Sequence, residues 1–235
     1  MAKMFRKFLG TLFTCLSCLF ASVCVGLYFR SEFSDGFFLK PFLRVVILIF
    51  ACIGIYMAAR ISGKIFFPEK RKELLRAALA CSFALYLVLL VKFLFFEDSF
   101  SRGYGLIFLQ DSTTVSEYLE RYLNVEPFGM IRRYIHGFMI GSVSLKSFMM
   151  NIVGNFILFM PFSFFLPTFY RKQNNFFVFF FTVALMSAAA EVIQVLFMMG
   201  TGDIDDLIMN TVGACVLFGL LHTKLGKEFV DFIGK

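Results

Sequence analysis

The 235-residue sequence predicts an all-α fold: a polytopic transmembrane helix bundle of about six spans with a short extracytoplasmic amphipathic helix. Its residues are 59% hydrophobic and its mean hydropathy is +0.80, above the roughly 45–50% apolar usage of soluble domains. A water-soluble core cannot bury that much apolar surface, so lipid is the expected solvent. The apolar residues fall into runs near the ~20 residues that cross a bilayer core. Charged residues separate the runs with an alternating bias, which sets topology.

The first run, Phe8–Phe29, follows Lys3, Arg6 and Lys7. Its basic start and the small residues Ala21 and Ser22 loosely fit a cleavable signal. Val23 before Cys24 is a poor cleavage neighbour, so the run is expected to remain a span. Pro41–Ala59 is the second run, and Arg60, Lys64, Lys70, Arg71, Lys72 and Arg76 fill its connection to the third, Ala77–Phe96. The fourth, Phe148–Phe169, contains Pro161, which removes a backbone donor and is expected to kink it. Phe176–Met199 and Leu207–Thr223 complete the set, each long enough to close its own backbone hydrogen bonds as a helix.

The connection Arg30–Lys40 is balanced in charge, Glu97–Lys146 holds six acids against five Lys/Arg, and Gly200–Asp206 carries three Asp and no cation. Arg171–Lys172 and the Lys224–Lys235 tail are basic. Lys and Arg mark the cytoplasmic side, so both termini are expected there. The net charge of +7 is thereby assigned to topology. The cations cluster beside the spans and form no soluble basic face, so no nucleic-acid partner is expected.

Cys15, Cys18, Cys24, Cys52, Cys81 and Cys215 all lie inside proposed spans, where a secreted-type disulfide framework has no reason to form. No phosphate-binding loop, dinucleotide glycine fingerprint, zinc spacing or nucleophile elbow is present.

Three regions follow from this reading: an N-terminal three-span region (1–98), an extracytoplasmic connection (99–146) and a C-terminal three-span region (147–235). In the connection, Thr114 and Glu117 have capping-box spacing, and Val115, Tyr118, Leu119 and Tyr122 form a short apolar stripe. That pattern predicts a surface-lying amphipathic helix, stopped by Pro127. Beyond it Arg132, Arg133 and His136 form a basic cluster, and the two Arg are candidate contacts for lipid phosphates.

Amide and ionisable side chains within hydrocarbon cost several kcal/mol unless paired, so they are functional candidates. They concentrate in the last three runs. Asn151 and Asn155 are spaced i,i+4, and Glu191 and Gln194 i,i+3, so each pair is expected to share a helix face. If the sixth helix begins at Asp203, then Asp203, Asp206 and Asn210 share a face and Asp205 points elsewhere.

Gly213, a turn further on, permits close helix approach. The expected topology puts Asn155 and Glu191 at about the same depth, roughly 12 Å below the outer boundary at ~1.5 Å per residue. These residues, with Asp205 counted among the acids, form a candidate outward-facing polar pocket. Glu191 and Asp206 are the candidates for acid/base work. The Asp203–Asp206 cluster could take a divalent cation through its oxygens; no other cofactor is expected.

At these residues the chain resembles the VanZ-like family. The resemblance rests on Asn155-Phe-Ile-Leu-Phe-Met-Pro161, Glu191-Val-Ile-Gln194, Asp203-Ile-Asp-Asp-Leu-Ile-Met-Asn210-Thr-Val-Gly213 and the loop Asn124-Val-Glu-Pro-Phe128, and covers roughly residues 104–222. Glu126 stands where an apolar residue is usual, and the Arg that often precedes the Asp cluster is missing from Gly200-Thr-Gly202. The resemblance implies a bacterial cell-membrane protein, similar to a founding member associated with resistance to teicoplanin. Membrane lipids or lipid-linked envelope precursors are the expected partners. It implies no particular reaction: an enzyme acting on a lipid headgroup and an ion-coupled transporter both remain open.

Overall fold

Apolar runs of this length close their backbone hydrogen bonds internally, and the described residues are correspondingly mostly helical. A computed structural model describes residues 2–33, 41–96, 117, 120, 123–197 and 202–234. The expected amphipathic helix at residues 114–122 lies outside the described residues, apart from Glu117 and Glu120, which are helical. Six helical stretches are long and apolar enough to cross a membrane: Lys7–Arg30, Leu43–Ile65, Pro68–Phe95, Leu145–Phe169, Phe176–Leu196 and Ile204–Leu221. The all-α transmembrane bundle read from the sequence is therefore the observed class. The chain forms two compact units, residues 1–89 with 232–235, and residues 90–231.

In the first unit α1 (Ala2–Phe33) packs along α2 (Pro41–Ile65). A Cβ at Gly54 would sit 3.1 Å from the Ala21 Cβ and 3.2 Å from the Ser17 carbonyl oxygen, and Phe20 meets Phe50 edge-on at 6.2 Å. Small residues matter here because lipid tails are as apolar as the side chains. Helix association in lipid depends on close van der Waals packing. A 3-10 turn, Pro68–Lys70, carries its Pro at the helix start, where the missing N–H is harmless, and leads into α3 (Arg71–Phe95).

The second unit takes up the chain within α3. It contains β1 (Leu123–Asn124), α4 (Gly129–Met139), the segmented fourth span, α8 (Phe176–Leu196), β2 (Gly202–Asp203), α9 (Ile204–Leu221) and most of α10 (Lys224–Gly234). The fourth span comprises α5 (Leu145–Phe148), a π-helical stretch (Met149–Gly154), α6 (Asn155–Leu158) and α7 (Phe162–Phe169). Ser144 caps its start by accepting from the Ser147 N–H. The break at Phe159–Pro161 lies where the proline was expected to kink the span. The π-helical stretch upstream has no single-residue signature in the sequence.

α9 is the axis of this unit, packing on α6, α7 and α8. Phe159, Phe162, Phe179, Val183 and Ala214 are at most 1% exposed, and Phe179 stacks on Phe218 at 4.5 Å. The buried Ser163 hydroxyl donates to the Ala214 carbonyl at 2.7 Å. Hydrogen bonds of this kind are one of the few specific forces available between helices in lipid.

Candidate functional site

The polar residues of the last three spans meet at the start of α9. Asp203 is the N-cap of that helix: its Oδ1 accepts from the Asp205 N–H at 2.9 Å, satisfying an otherwise orphaned donor. Its own N–H donates to Glu191 Oε2 at 3.1 Å, which joins α9 to α8. β1 pairs parallel with β2, setting Leu123 opposite Gly202 and Asn124 opposite Asp203. The Asn124 amide then donates to both Asp203 oxygens, at 3.0 and 3.1 Å. A loop 79 residues upstream is thus pinned onto the helix start.

Asp205 is fully buried and serves a second helix. Its carboxylate accepts from the Phe128 N–H at 2.5 Å and from those of Met130 and Ile131 at 2.7 and 3.0 Å. Those N–H groups belong to the open N-terminus of α4, where an anion is also favoured by the helix dipole. Phe128 enters α4 with φ of 63°, a left-handed conformation unusual for a residue with a side chain. The Asp205 contact helps to hold it.

Asp206 lies on another side of α9 and accepts a short hydrogen bond from the Asn155 side-chain amide. One turn on, Asn210 donates to the Ser187 hydroxyl at 3.1 Å, and Ser187 lies one turn from Glu191. The Gln194 amide donates to the Leu94 carbonyl at 2.6 Å. Asn155, Gln194 and Asn210 are each 1% exposed, and the carbonyl oxygen of each amide has no hydrogen-bond partner. Asn155–Asp206, Asp203–Glu191 and Asn210–Ser187 are thus three hydrogen-bonded pairs, each with one member in α9 or at its cap.

Asn151 stands apart from them. The π-helical stretch advances more than the usual 3.6 residues per turn and shifts the i,i+4 relation to Asn155. The Asn151 amide donates instead to the Ser147 carbonyl at 2.8 Å. Gly213 sits against α6 so closely that a Cβ there would meet the Phe156 carbonyl.

The Asp203 carboxyl is pushed above its usual range, chiefly by burial and further by the Asp205 charge. Its hydrogen bonds and the nearby Arg133 act in the opposite direction. Ionised Asp203 thus costs the folded state free energy at neutral pH. That cost disappears as the pH falls through the raised pKa towards the ordinary carboxylate value. Asp203→Asn keeps an N-cap oxygen and removes the charge but turns an NH₂ towards the Asn124 amide, so the two effects oppose and thermal unfolding at pH 7 should shift by no more than about 1 kcal/mol. The difference from wild type should fade towards pH 4, and a large loss at pH 7 would contradict this account.

Arg132 pairs with Glu126 at 2.7 Å on the surface, both side chains being well exposed. Arg133 and His136 are exposed on the same helix. Tyr134, on α4, is held above its usual pKa by burial and then by the charges of Asp206 and Asp203. Neither Tyr134 nor Ser187 stands out in the sequence. The available signal for Ser187 is its i,i+4 spacing from Glu191.

A cleft of about 320 Å³ runs beside this network, between α8, the start of α9 and β1. Asn124, Glu191 and Asp203 are its polar side chains, and Val192, Leu196 and Leu207 are among the residues forming its apolar walls. Among the described residues, no three Asp, Glu, His or Cys side chains converge as a metal-binding group. The three Asp of the cluster instead face Asn124, the α4 N-terminus and Asn155.

The VanZ/LLP1 family model matches residues 83–225. A relative, Protein VanZ of Enterococcus faecium, is 28% identical over 151 residues, spanning 63% of this chain and 78% of that protein. No solved structure matches the chain.

Proposed function

The chain belongs to the VanZ/LLP1 family, and from this and the cleft we propose that it is a multi-pass bacterial cell-membrane protein that engages an amphiphilic cell-envelope molecule. In this reading both termini are cytoplasmic and the cleft opens to the outer leaflet. The occupant is a membrane lipid or lipid-linked wall precursor, and altered sensitivity to teicoplanin-type glycopeptides is the phenotype to examine. The observation that carries the reading is a ligand-sized cleft whose accessible surface is almost wholly apolar, with Asn124, Glu191 and Asp203 among its lining residues. Val192 and Leu196 of its wall are 56% and 63% exposed, a surface that suits an alkyl chain entering from the bilayer.

Lipid mass spectrometry on protein purified in mild detergent tests this. Wild type should retain a lipid species enriched over the bulk membrane. Ala188→Phe, which fills the cleft from α8, should lose most of it. An unselective lipid profile that is the same in both proteins would sink the proposal.

The second reading is an enzyme acting on the lipid headgroup, with Glu191 and Asp206 in acid/base roles. It is favoured by Glu191 both lining the cleft and bonding the N–H of Asp203. A chemically altered headgroup in wild type, absent from Asp206→Asn, would select it.

A further inference from the structure

We infer that α4 lies in the headgroup layer of the bilayer and that its exposed basic flank, Arg133 with His136, binds the phosphate of an anionic phospholipid. This placement rests on the spans and on α4, and it stands or falls separately from any occupant of the cleft.

The depth of α4 is set at both of its ends. The fourth span begins at Leu145 and the sixth at Ile204. With a single span between them, both start at the same membrane boundary. The N-terminus of α4 is held by the Asp205 carboxylate, in the first turn of α9, through the N–H groups of Met130 and Ile131 at 2.7 and 3.0 Å. At its other end Phe138 stacks on Phe148, in the first turn of the fourth span, with ring centroids 4.9 Å apart. A helix fastened to two span starts at one boundary runs along that boundary.

Its faces divide as such a position requires. Met130, Tyr134 and Gly137, at i, i+4 and i+7, are half-buried or buried and form the side packed on the bundle. The exposed remainder has two flanks. Ile135 and Met139 lie one turn apart, and with Ile140 they are 44%, 78% and 64% exposed. Arg132 and His136, also one turn apart, form the other flank with Arg133. Hydrocarbon is the surrounding that suits the first flank, and the basic flank beside it then falls at the level of the headgroup phosphates.

Arg132 is already committed, since Glu126 pairs with it at 2.7 Å and offsets its charge. Among the described residues no hydrogen bond or ion pair engages Arg133 or His136. Asp203 feels the charge of Arg133, but it is buried and its oxygens are taken by the Asn124 amide and the Asp205 N–H. The guanidinium fork of Arg133 matches two phosphate oxygens, and a ring N–H of His136 can donate to the same group. A phosphate balanced by its own ammonium is drawn less strongly than one that leaves the lipid a net anion, so the flank selects the anion.

The test uses the full chain in phosphatidylcholine nanodiscs doped with a photoreactive lipid whose diazirine sits near the glycerol end of one acyl chain. One probe is a phosphatidylglycerol, the other a phosphatidylcholine with the same chains, and labelled residues are mapped by mass spectrometry. At equal mole fraction the anionic probe should label Ile135, Met139 and Ile140 about fivefold more than the zwitterionic one. Arg133→Gln should remove most of that preference and His136→Gln part of it. Lys224→Gln, which removes one cation beyond the far end of α9, should leave it unchanged. Labelling by the zwitterionic probe should be the same in all variants, which reports that α4 keeps its place.

Equal labelling by the two probes in the wild type, or a preference that survives Arg133→Gln, overturns the phosphate site. So does Lys224→Gln acting as strongly as Arg133→Gln, because net charge alone would then account for the preference. Protection of Ile135, Met139 and Ile140 from both probes would mean that a protein surface, such as a second copy of the chain, covers the apolar flank, and it overturns the placement of α4.

Discussion

Replacing Asp205 by Ala should destabilise the second unit by about 3 kcal/mol, since it orphans three backbone donors served by a buried carboxylate. The effect should be local before it is global. Hydrogen exchange should quicken first at Phe128, Met130 and Ile131, and the left-handed turn at Phe128 should lose its restraint. Asp205→Asn should fall between wild type and Ala, because one oxygen still accepts while the new NH₂ opposes a backbone N–H. Calorimetric unfolding in detergent reads the size of the loss, and exchange mass spectrometry reads its place. Unchanged exchange at these amides in Asp205→Ala would mean that the carboxylate does not hold α4.

Gly213→Ala should cost about 2–3 kcal/mol through overpacking. The added Cβ would run into the Phe156 carbonyl and its neighbouring backbone atoms, which cannot rotate aside as a side-chain tip can. Two helices must separate, and separation strains the Asn155–Asp206 hydrogen bond two turns back along α9 and the Ser163–Ala214 bond behind it. Gly219, on the same helix, has open space where its Cβ would lie. Gly219→Ala should therefore show no loss under the same calorimetry, which separates a packing effect from one of glycine in general. Equal behaviour of the two variants would contradict the close approach of α9 and α6.

Part of the site was legible in the residue order. Asp203, Asp206 and Asn210 follow helix spacing, and an Asp preceding an apolar run is a recognisable cap. The proline break in the fourth span was also foreseeable, since Pro161 removes a donor whatever surrounds it. By contrast, the π-helical stretch that separates Asn151 from Asn155 arises in a run of ordinary helix-compatible residues. The helix α4 likewise carries no advance signal at its start: Pro127, Phe128 and Gly129 read as a stop, and the group that caps it comes from Asp205, 75–77 residues later in the chain.

The sequence by itself determined that the chain lies in lipid, where its spans fall, and which buried polar side chains must find partners. These follow from solvation: apolar length sets the span, and an amide or carboxylate in hydrocarbon has to be satisfied. Only the tertiary structure decided which partner each one takes. Hydrogen bonds are directional and short, so the three neighbouring Asp residues could separate to Asn124, the α4 backbone and Asn155 only once β1 had paired with β2 and α9 had packed against α6. The cleft belongs to the same class of fact, because its walls come from segments more than 60 residues apart and exist as a surface only after they meet.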